Sequence, residues 1–288
     1  MKNKKIAITG HTGVIGSSFV KKFKKNKFVK CKIDIVDKKK VYKWIEKNDF
    51  DIFIHFAAIV PINQVDKDKK KAFKVNFQGT KNIVDGLVKY KKENKIWFFF
   101  SSTSHVYQPT KKKIKIRENH RIKPQSFYGY SKRLAEKYIV RKLSKNKIDF
   151  CIGRIFSFTH YKQKEDYFVP MVFKKILQKN KGKLYFNRVS TYRDFISIDD
   201  LLKSINILFQ LKKRGIFNIA AGQYVDLKNI IYLASKIVNN KKKILISNEK
   251  NNFNLVANVF KLKKLSFIPK HSIDDILKNF YKLKYKKN

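Results

Sequence analysis

At 288 residues, 43% hydrophobic and 31% charged, with a formal net charge of +47, the chain can bury a real core and hold one large α/β domain, with or without a smaller partner. Two cysteines exclude a disulfide framework, no apolar run reaches the roughly 18 residues of a membrane span, and the N-terminus runs straight into a strand, so a reducing, cytoplasmic setting with no signal peptide is expected. Eight of the 68 basic residues are Arg and 60 are Lys; their spread along the chain argues against specific nucleic-acid reading through guanidinium forks and for a solvated surface that attracts anionic substrates, with a polyanion or membrane-surface role as the alternative.

Strands are predicted at 4–9, 28–33, 51–56, 95–101 and 148–154, with helical patterns near 14–26, 38–48, 67–92 and 126–146. Continuous apolar strands separated by amphipathic helices imply an α/β fold, a doubly wound parallel sheet covered on both faces. Ligands of such sheets sit at the carboxyl ends of the strands. Cys31 and Cys151 fall in predicted strands and read as buried free thiols. The second half is less regular. Helices are expected near 168–179, 198–211, 226–239, 258–265 and 272–284, and short strands near 183–187, 193–197, 215–220 and 243–247.

Three segments could carry chemistry. Gly10, Gly13 and Gly16 follow the first strand with the spacing G-x-x-G-x-x-G, a turn that would cradle a pyrophosphate at a helix N-terminus. The fourth strand ends in Ser101-Ser102-Thr103-Ser104-His105, hydroxyls where a substrate would lie, or an ordinary Ser/Thr turn. Tyr128 and Lys132 are four apart on one face of a predicted helix. A phenol with an ordinary pKa of about 10 needs roughly 4 kcal/mol of differential interaction to ionise near neutral pH, and an adjacent ammonium acts in that direction.

Taken together, these segments resemble the extended short-chain dehydrogenase/reductase family, and within it the NAD-dependent epimerase/dehydratase branch that modifies nucleotide sugars. Further segments carry the resemblance: His55-Phe56-Ala57-Ala58 for H-x-A-A, Val75-Asn76-Phe77-Gln78-Gly79-Thr80 for V-N-x-x-G-T, Arg154-Ile155-Phe156 for L-R-x-x-N, Arg193-Asp194-Phe195-Ile196 running to Asp200 for R-D-F-I-x-V-D-D, and Gly215-Ile216-Phe217-Asn218-Ile219 for G-x-Y-N-I. The resemblance implies a Rossmann domain over 1–155, with 191–220 returning to it, and a smaller α/β substrate-binding domain over 156–288. It implies Tyr128 as acid/base on the sugar 4-oxygen, Lys132 on the nicotinamide ribose and tuning Tyr128, and Thr103 on the reacting oxygen. Gly10, Gly13, Ile15 and Gly16 would contact the pyrophosphate. Ala57, Ala58 and Asn76 would belong to the cofactor site, Ser104 and His105 to the substrate site. Arg193 would hold the substrate diphosphate, or else pair structurally with Asp194 or Asp199. Family members are often dimers through helices corresponding to 67–92 and 126–146.

The chain departs from the pattern at three places. Ser104-His105 follow Thr103 where dehydratases carry Asp-Glu or Ser-Glu, so 4,6-dehydration is disfavoured, with His105 as an improvised base at best. Ser157 replaces the usual Asn, and Phe158-Thr159-His160 replace Tyr-Gly-Pro. The second strand lacks a clear acid: Asp34 could hold a ribose 2′-hydroxyl and mark NAD, or it could belong to a downstream adenine-contacting D-I-x-D, leaving Lys30 or Lys32 for the 2′-phosphate of NADP. The expectation is a nucleotide-sugar epimerase or 4-ketoreductase using NAD or NADP, the alternative a non-catalytic dinucleotide sensor or basic scaffold.

Overall fold

The computed structural model describes residues 4–91, 96–179, 182–247 and 253–286. Residues 92 and 95, the ends of two predicted elements, lie outside them. The chain forms two compact units. The first comprises Met1–Gln108, Arg121–Ile155 and Leu202–Phe217; the second comprises Pro109–His120, Phe156–Leu201 and Asn218–Asn288.

The first unit runs β1 (Lys5–Thr9), α1 (Val14–Lys22), β2 (Lys27–Lys30), α2 (Lys38–Lys47), β3 (Ile52–His55), α3 (Ile62–Lys67), α4 (Lys69–Phe73), a π-helical turn (Lys74–Gly79), α5 (Thr80–Lys91), β4 (Trp97–Thr103), α6 (Phe127–Lys145) and β5 (Asp149–Ile155). The second unit contributes β6 (Ser157–Phe158), α7 (Phe168–Leu177), β7 (Leu184–Phe186), β8 (Tyr192–Arg193) and β9 (Phe195–Ile196), then α8 (Ile198–Gln210) and β10 (Gly215–Ile219) cross between the units, and β11 (Val225–Asp226), α9 (Leu227–Ile237), β12 (Ile244–Ile246), α10 (Phe260–Lys263) and α11 (Ile273–Tyr285) complete it.

The central sheet has six strands in the order β10-β5-β4-β3-β1-β2, and the pairings from β2 through β1, β3 and β4 to β5 are all parallel. This is the expected doubly wound α/β sheet. Its strand order reverses between β1 and β3, and such a switch point opens a crevice at the strands' carboxyl ends. Trp97, Phe98, Phe99 and Phe100 of β4 are all fully buried. Alternate residues serve opposite faces. Phe98 and Phe100 join a core with Ile45, Ile83, Leu87 and Ile139. Phe99 meets Phe56, which meets Phe19 of α1. Burial of each such ring contributes about 1.5–3 kcal/mol.

Three differences from the predicted elements bear on the site or its surroundings. The single helix over 67–92 is divided, because Asp68 leaves helical geometry and its carboxylate accepts from Lys71 N–H, capping a new start, and the π turn follows. The strand over 28–33 ends at Lys30, with one further ladder bond from Cys31 N–H to Ile8 O. The strand over 193–197 is two short strands. β8 pairs with β11 and β9 with β6, while Asp194 between them turns its buried carboxylate to the backbone N–H groups of Ala221, Gly222 and Ala257. Cys31 and Cys151 are both buried and free, and burial pushes the Cys31 thiol up to about 11. No described helix is long and apolar enough to cross a membrane.

Candidate active site

The glycine loop is a steric necessity at two of its three positions. Gly10 sits at φ +65°, and a Cβ there would stand 2.6 Å from Ala57 N. On Gly16 a Cβ would stand 2.1 Å from Gly10 O. Gly13 serves differently. It caps α1 with extended backbone and no side-chain hydrogen bond, and a Cβ there would meet only Gly10 O within 4 Å, so its outer face is open. Ile15 follows in the first turn of α1, which carries no acidic residue. A helix start with free N–H groups and no carboxylate suits phosphate.

A buried polar chain ties this loop to the opposite wall. His55 Nδ1 lies 2.6 Å from Thr9 Oγ1, and His55 Nε2 lies 2.9 Å from Thr80 Oγ1. Ala57 N–H donates to Thr9 Oγ1 at 3.2 Å, and the Thr80 hydroxyl donates to Asn76 O at 2.8 Å. Burial, aided by the Lys132 charge, holds the His55 imidazole down to about 3. Asn76 is fully buried and its amide is spent inside the wall. Its Oδ1 accepts from Ile59 N–H, and its Nδ2 donates to Ile59 O and Ser131 Oγ. The structure therefore gives Asn76 the task of setting the Ala57-Ala58-Ile59 backbone and tethering it to α6.

The Ser-rich end of β4 runs into a 3-10 turn over Ser104–His105–Val106. Thr103 Oγ1 accepts from His105 N–H at 3.2 Å, which leaves the hydroxyl hydrogen to donate elsewhere. Both Thr103 and Ser104 are buried. The start of α6 is packed on this turn: a Cβ on Gly129 would stand 2.2 Å from His105 O, and the His105 and Tyr128 rings meet edge-on with centroids 6.0 Å apart. Ser126 begins the helix, its Oγ accepting from Gly129 N–H at 3.1 Å.

Lys132 lies one turn beyond Tyr128 and is buried, with its ammonium 4.1 Å from the centre of the Phe100 ring. Burial lowers its proton affinity to about 7, against the opposing pull of Glu136. Glu136, one more turn along, is the residue the sequence reading passed over. Its carboxylate is fully buried and accepts from Ser102 Oγ at 2.6 Å, from Arg154 Nε and Nη2 at 2.9 and 2.8 Å, and from Arg133 Nη1 at 2.9 Å. Burial opposes the Arg154 charge, but Glu136, with a smaller part from Tyr107, outweighs it and the guanidinium's proton is held above its ordinary range. A periodic cue existed: Tyr128, Lys132 and Glu136 are evenly spaced by four on one helix face.

Asp34 is exposed and forms a turn, with its carboxylate accepting from Val36 N–H at 2.9 Å. Asp37 caps α2 by accepting from Lys40 N–H. Asn82 of α5 donates to Ile35 O and Val36 O and clamps the segment between them. Arg193 lies in the second unit. Its guanidinium donates to Thr191 Oγ1, Tyr192 O and Phe253 O and covers the Phe253 ring at 5.1 Å. No salt bridge to Asp194 or Asp199 is made by it among the described residues, and burial lowers its proton affinity to about 10. His160 in the same unit is also held down, to about 4, chiefly by burial. No metal-binding cluster occurs among the described residues.

The first unit thus links the glycine loop, through Thr9, His55, Thr80 and Asn76, to the wall formed by Ala57, Ala58 and Ile59, and places Thr103, Ser104, His105, Tyr128 and Lys132 around the joint between β4 and α6. The chain is 26% identical to an ADP-L-glycero-D-manno-heptose-6-epimerase of Brachyspira hyodysenteriae, covering 75% of this chain and 76% of that one. It is also 26% identical to a UDP-glucose 4-epimerase of Mycoplasma genitalium, covering 96% of each. Among solved structures, RMD from Pseudomonas aeruginosa, complexed with NADPH, shares the fold with a TM-score of 0.86 at 18% identity, over 96% of this chain and 97% of that one. The family model described as GDP-mannose 4,6 dehydratase matches residues 20–284, nearly the whole length, and the chain belongs to that family within the extended short-chain dehydrogenases/reductases.

Proposed function

We propose that the chain is a nicotinamide-dependent nucleotide-sugar epimerase or 4-ketoreductase acting at sugar C4. The observation that supports this most directly is a buried Lys132 one turn from Tyr128, on a helix packed against the turn that follows Thr103. When bound, the nicotinamide supplies the hydride donor or acceptor. Every other task falls to the chain. Tyr128 exchanges a proton with the C4 oxygen, and Thr103 donates a hydrogen bond to the same oxygen from the hydroxyl that His105 N–H leaves free. The Lys132 ammonium favours the phenolate of Tyr128, and Glu136 raises the proton affinity of that ammonium, which burial pulls down to about 7. The epimerase and reductase arms share this proton step and differ in whether the dinucleotide is recycled or consumed.

In this reading residues 1–155, with 191–220, hold the dinucleotide, and 156–288 mainly hold the sugar nucleotide. Arg193, whose partners here are uncharged oxygens, supplies a cation for the substrate diphosphate. Dehydration at C4 and C6 is disfavoured, because Ser104 and His105 follow Thr103 and offer no carboxylate for the C5 proton. Association of two copies through α5 and α6 completes the reading, and sedimentation tests it.

The deciding experiment combines two measurements. Denaturing the purified protein and identifying any released dinucleotide separates the arms: stoichiometric NAD supports the epimerase, an empty protein preferring NADPH the reductase. Tyr128→Phe should abolish turnover of a responsive sugar nucleotide while dinucleotide binding persists. Undiminished turnover by that variant overturns the mechanism.

A further inference from the structure

The dinucleotide assignment leaves one subsite undetermined, the end of the adenosine ribose. In a parallel sheet with this switch point, that ribose lies beyond the carboxyl end of β2, beside the loop after β1, and the side chains there choose between a 2′-hydroxyl and a 2′-phosphate. An acid at that position accepts from the diol and repels a phosphate. A cation does the reverse.

The register identifies the residues. Lys30 is the last residue of β2 and pairs with Ile8, two positions before Gly10. Cys31 N–H adds one more bond to Ile8 O, so Lys32 leaves the sheet directly beside the glycine loop. Both lysines are exposed. Neither forms a salt bridge among the described residues. Their charges reach the loop, since after burial it is Lys30 and Lys32 that depress the proton affinity of His11. His11 itself follows Gly10, and its Nδ1 is buried with no hydrogen-bond partner. An anion placed between the two lysines would be drawn toward the loop by their charges and would offset their effect on the His11 imidazole.

The acids are otherwise employed. Asp34 comes four residues after the last residue of β2 and turns its carboxylate to Val36 N–H. Asp37 caps α2. The segment between them is clamped by Asn82 and by the close approach of Gly79 to Ile35, where an added Cβ would stand 2.6 Å from the Ile35 side chain. The turn that carries Asp34 is therefore fastened to α5 rather than free to swing to the end of β2.

We propose that this chain selects NADP(H), with Lys30 and Lys32 taking the 2′-phosphate. The proposal rests on the dinucleotide reading of the preceding subsection. It fits the reductase arm, in which reduced dinucleotide is consumed, better than the epimerase arm.

The test is a comparison of affinities on the full chain, freed of any copurified nucleotide. NADPH and NADH are titrated by calorimetry, alongside adenosine 2′,5′-bisphosphate and adenosine 5′-monophosphate. NADPH is expected to bind at least about tenfold more tightly than NADH, the ratio one charge-assisted hydrogen bond supplies, and the bisphosphate should outbind the monophosphate. In the Lys30→Ala/Lys32→Ala double variant the ratio should collapse toward one. NADH binding as tightly as NADPH overturns the selection while leaving the dinucleotide reading in place. A ratio that survives in the double variant overturns the assignment to these lysines. Failure of all four nucleotides to bind removes the dinucleotide reading and this inference with it.

Discussion

Glu136 stands one helical turn beyond Lys132 on α6, and its carboxylate raises the proton affinity of an ammonium that burial pulls down to about 7. The same carboxylate is the acceptor for Ser102, Arg133 and Arg154. One side chain thus tunes the candidate catalytic lysine and holds β4, β5 and α6 together.

Glu136→Gln should therefore have two effects. Loss of the charge strands the buried Arg154 and destabilises the fold by about 3–5 kcal/mol, the usual cost of breaking a buried pair from one side, measured as a denaturant midpoint. It also removes the charge that raises the Lys132 proton affinity, so the limb of the pH–rate profile due to Lys132 should move to lower pH. Glu136→Asp, which keeps the charge, should retain the limb near its original position. A profile identical in all three proteins would assign Glu136 a structural role alone.

Gly16→Ala should disturb the cofactor loop. The new Cβ would stand 2.1 Å from Gly10 O, and backbone cannot yield as a flexible side chain does. Overpacking of this kind costs about 1–3 kcal/mol. We expect a lower unfolding midpoint together with weaker dinucleotide binding. Gly13→Ala, whose Cβ would stand 3.3 Å rather than 2.1 Å from Gly10 O, should lose less stability and still lose binding, and equal loss of stability in both variants would contradict this division.

Ser126→Ala removes the cap of the helix that carries Tyr128 and Lys132. The Oγ contact to Gly129 N–H is 3.1 Å, and a lost cap of this type costs about 1 kcal/mol. Ser126→Asp should restore most of it. Thermal midpoints of the three proteins provide the comparison.

Acidification should expose the His55 chain. The folded protein holds His55 neutral down to about 3, against an ordinary 6.5. As pH falls through 6.5 the unfolded chain takes a proton that the folded chain refuses, so stability declines by about 1.4 kcal/mol per pH unit. Asp194 acts in the opposite sense. Burial raises its carboxyl from 3.8 to about 7, so the folded state holds a proton that the unfolded state has released, and its contribution grows as pH falls from 7 toward 4. The difference between wild type and His55→Gln isolates the first effect. Parallel curves between pH 6.5 and 4 would contradict it.

The parts of this arrangement that sequence makes legible are those with local causes. The run Trp97–Phe100 is apolar at every position because both faces of the sheet are covered, and the glycine spacing records two close approaches of backbone. The parts that stay hidden depend on distant partners. The break at Asp68 and the π turn beyond it precede the bond from Thr80 to Asn76 O, whose amide in turn serves Ile59 and Ser131. The division of β8 from β9 follows from Asp194 bonding to backbone at 221, 222 and 257. Glu136 reads as an ordinary helix-surface acid until β4 and β5 bring Ser102 and Arg154 to it.

The polar chain through His55 has a direction that its own chemistry dictates. The Thr80 hydroxyl gives its single proton to Asn76 O, so toward His55 it can only accept, and Nε2 must be the protonated nitrogen. Nδ1 is then bare and receives the Thr9 hydroxyl, which turns its lone pairs to Ala57 N–H. Donation thus runs one way from Thr9 through His55 to Asn76, with no link able to reverse alone. A single tautomer thus follows from a threonine at the start of α5, and Thr9, its proton given to His55, keeps its lone pairs for the Ala57 N–H beside the glycine loop.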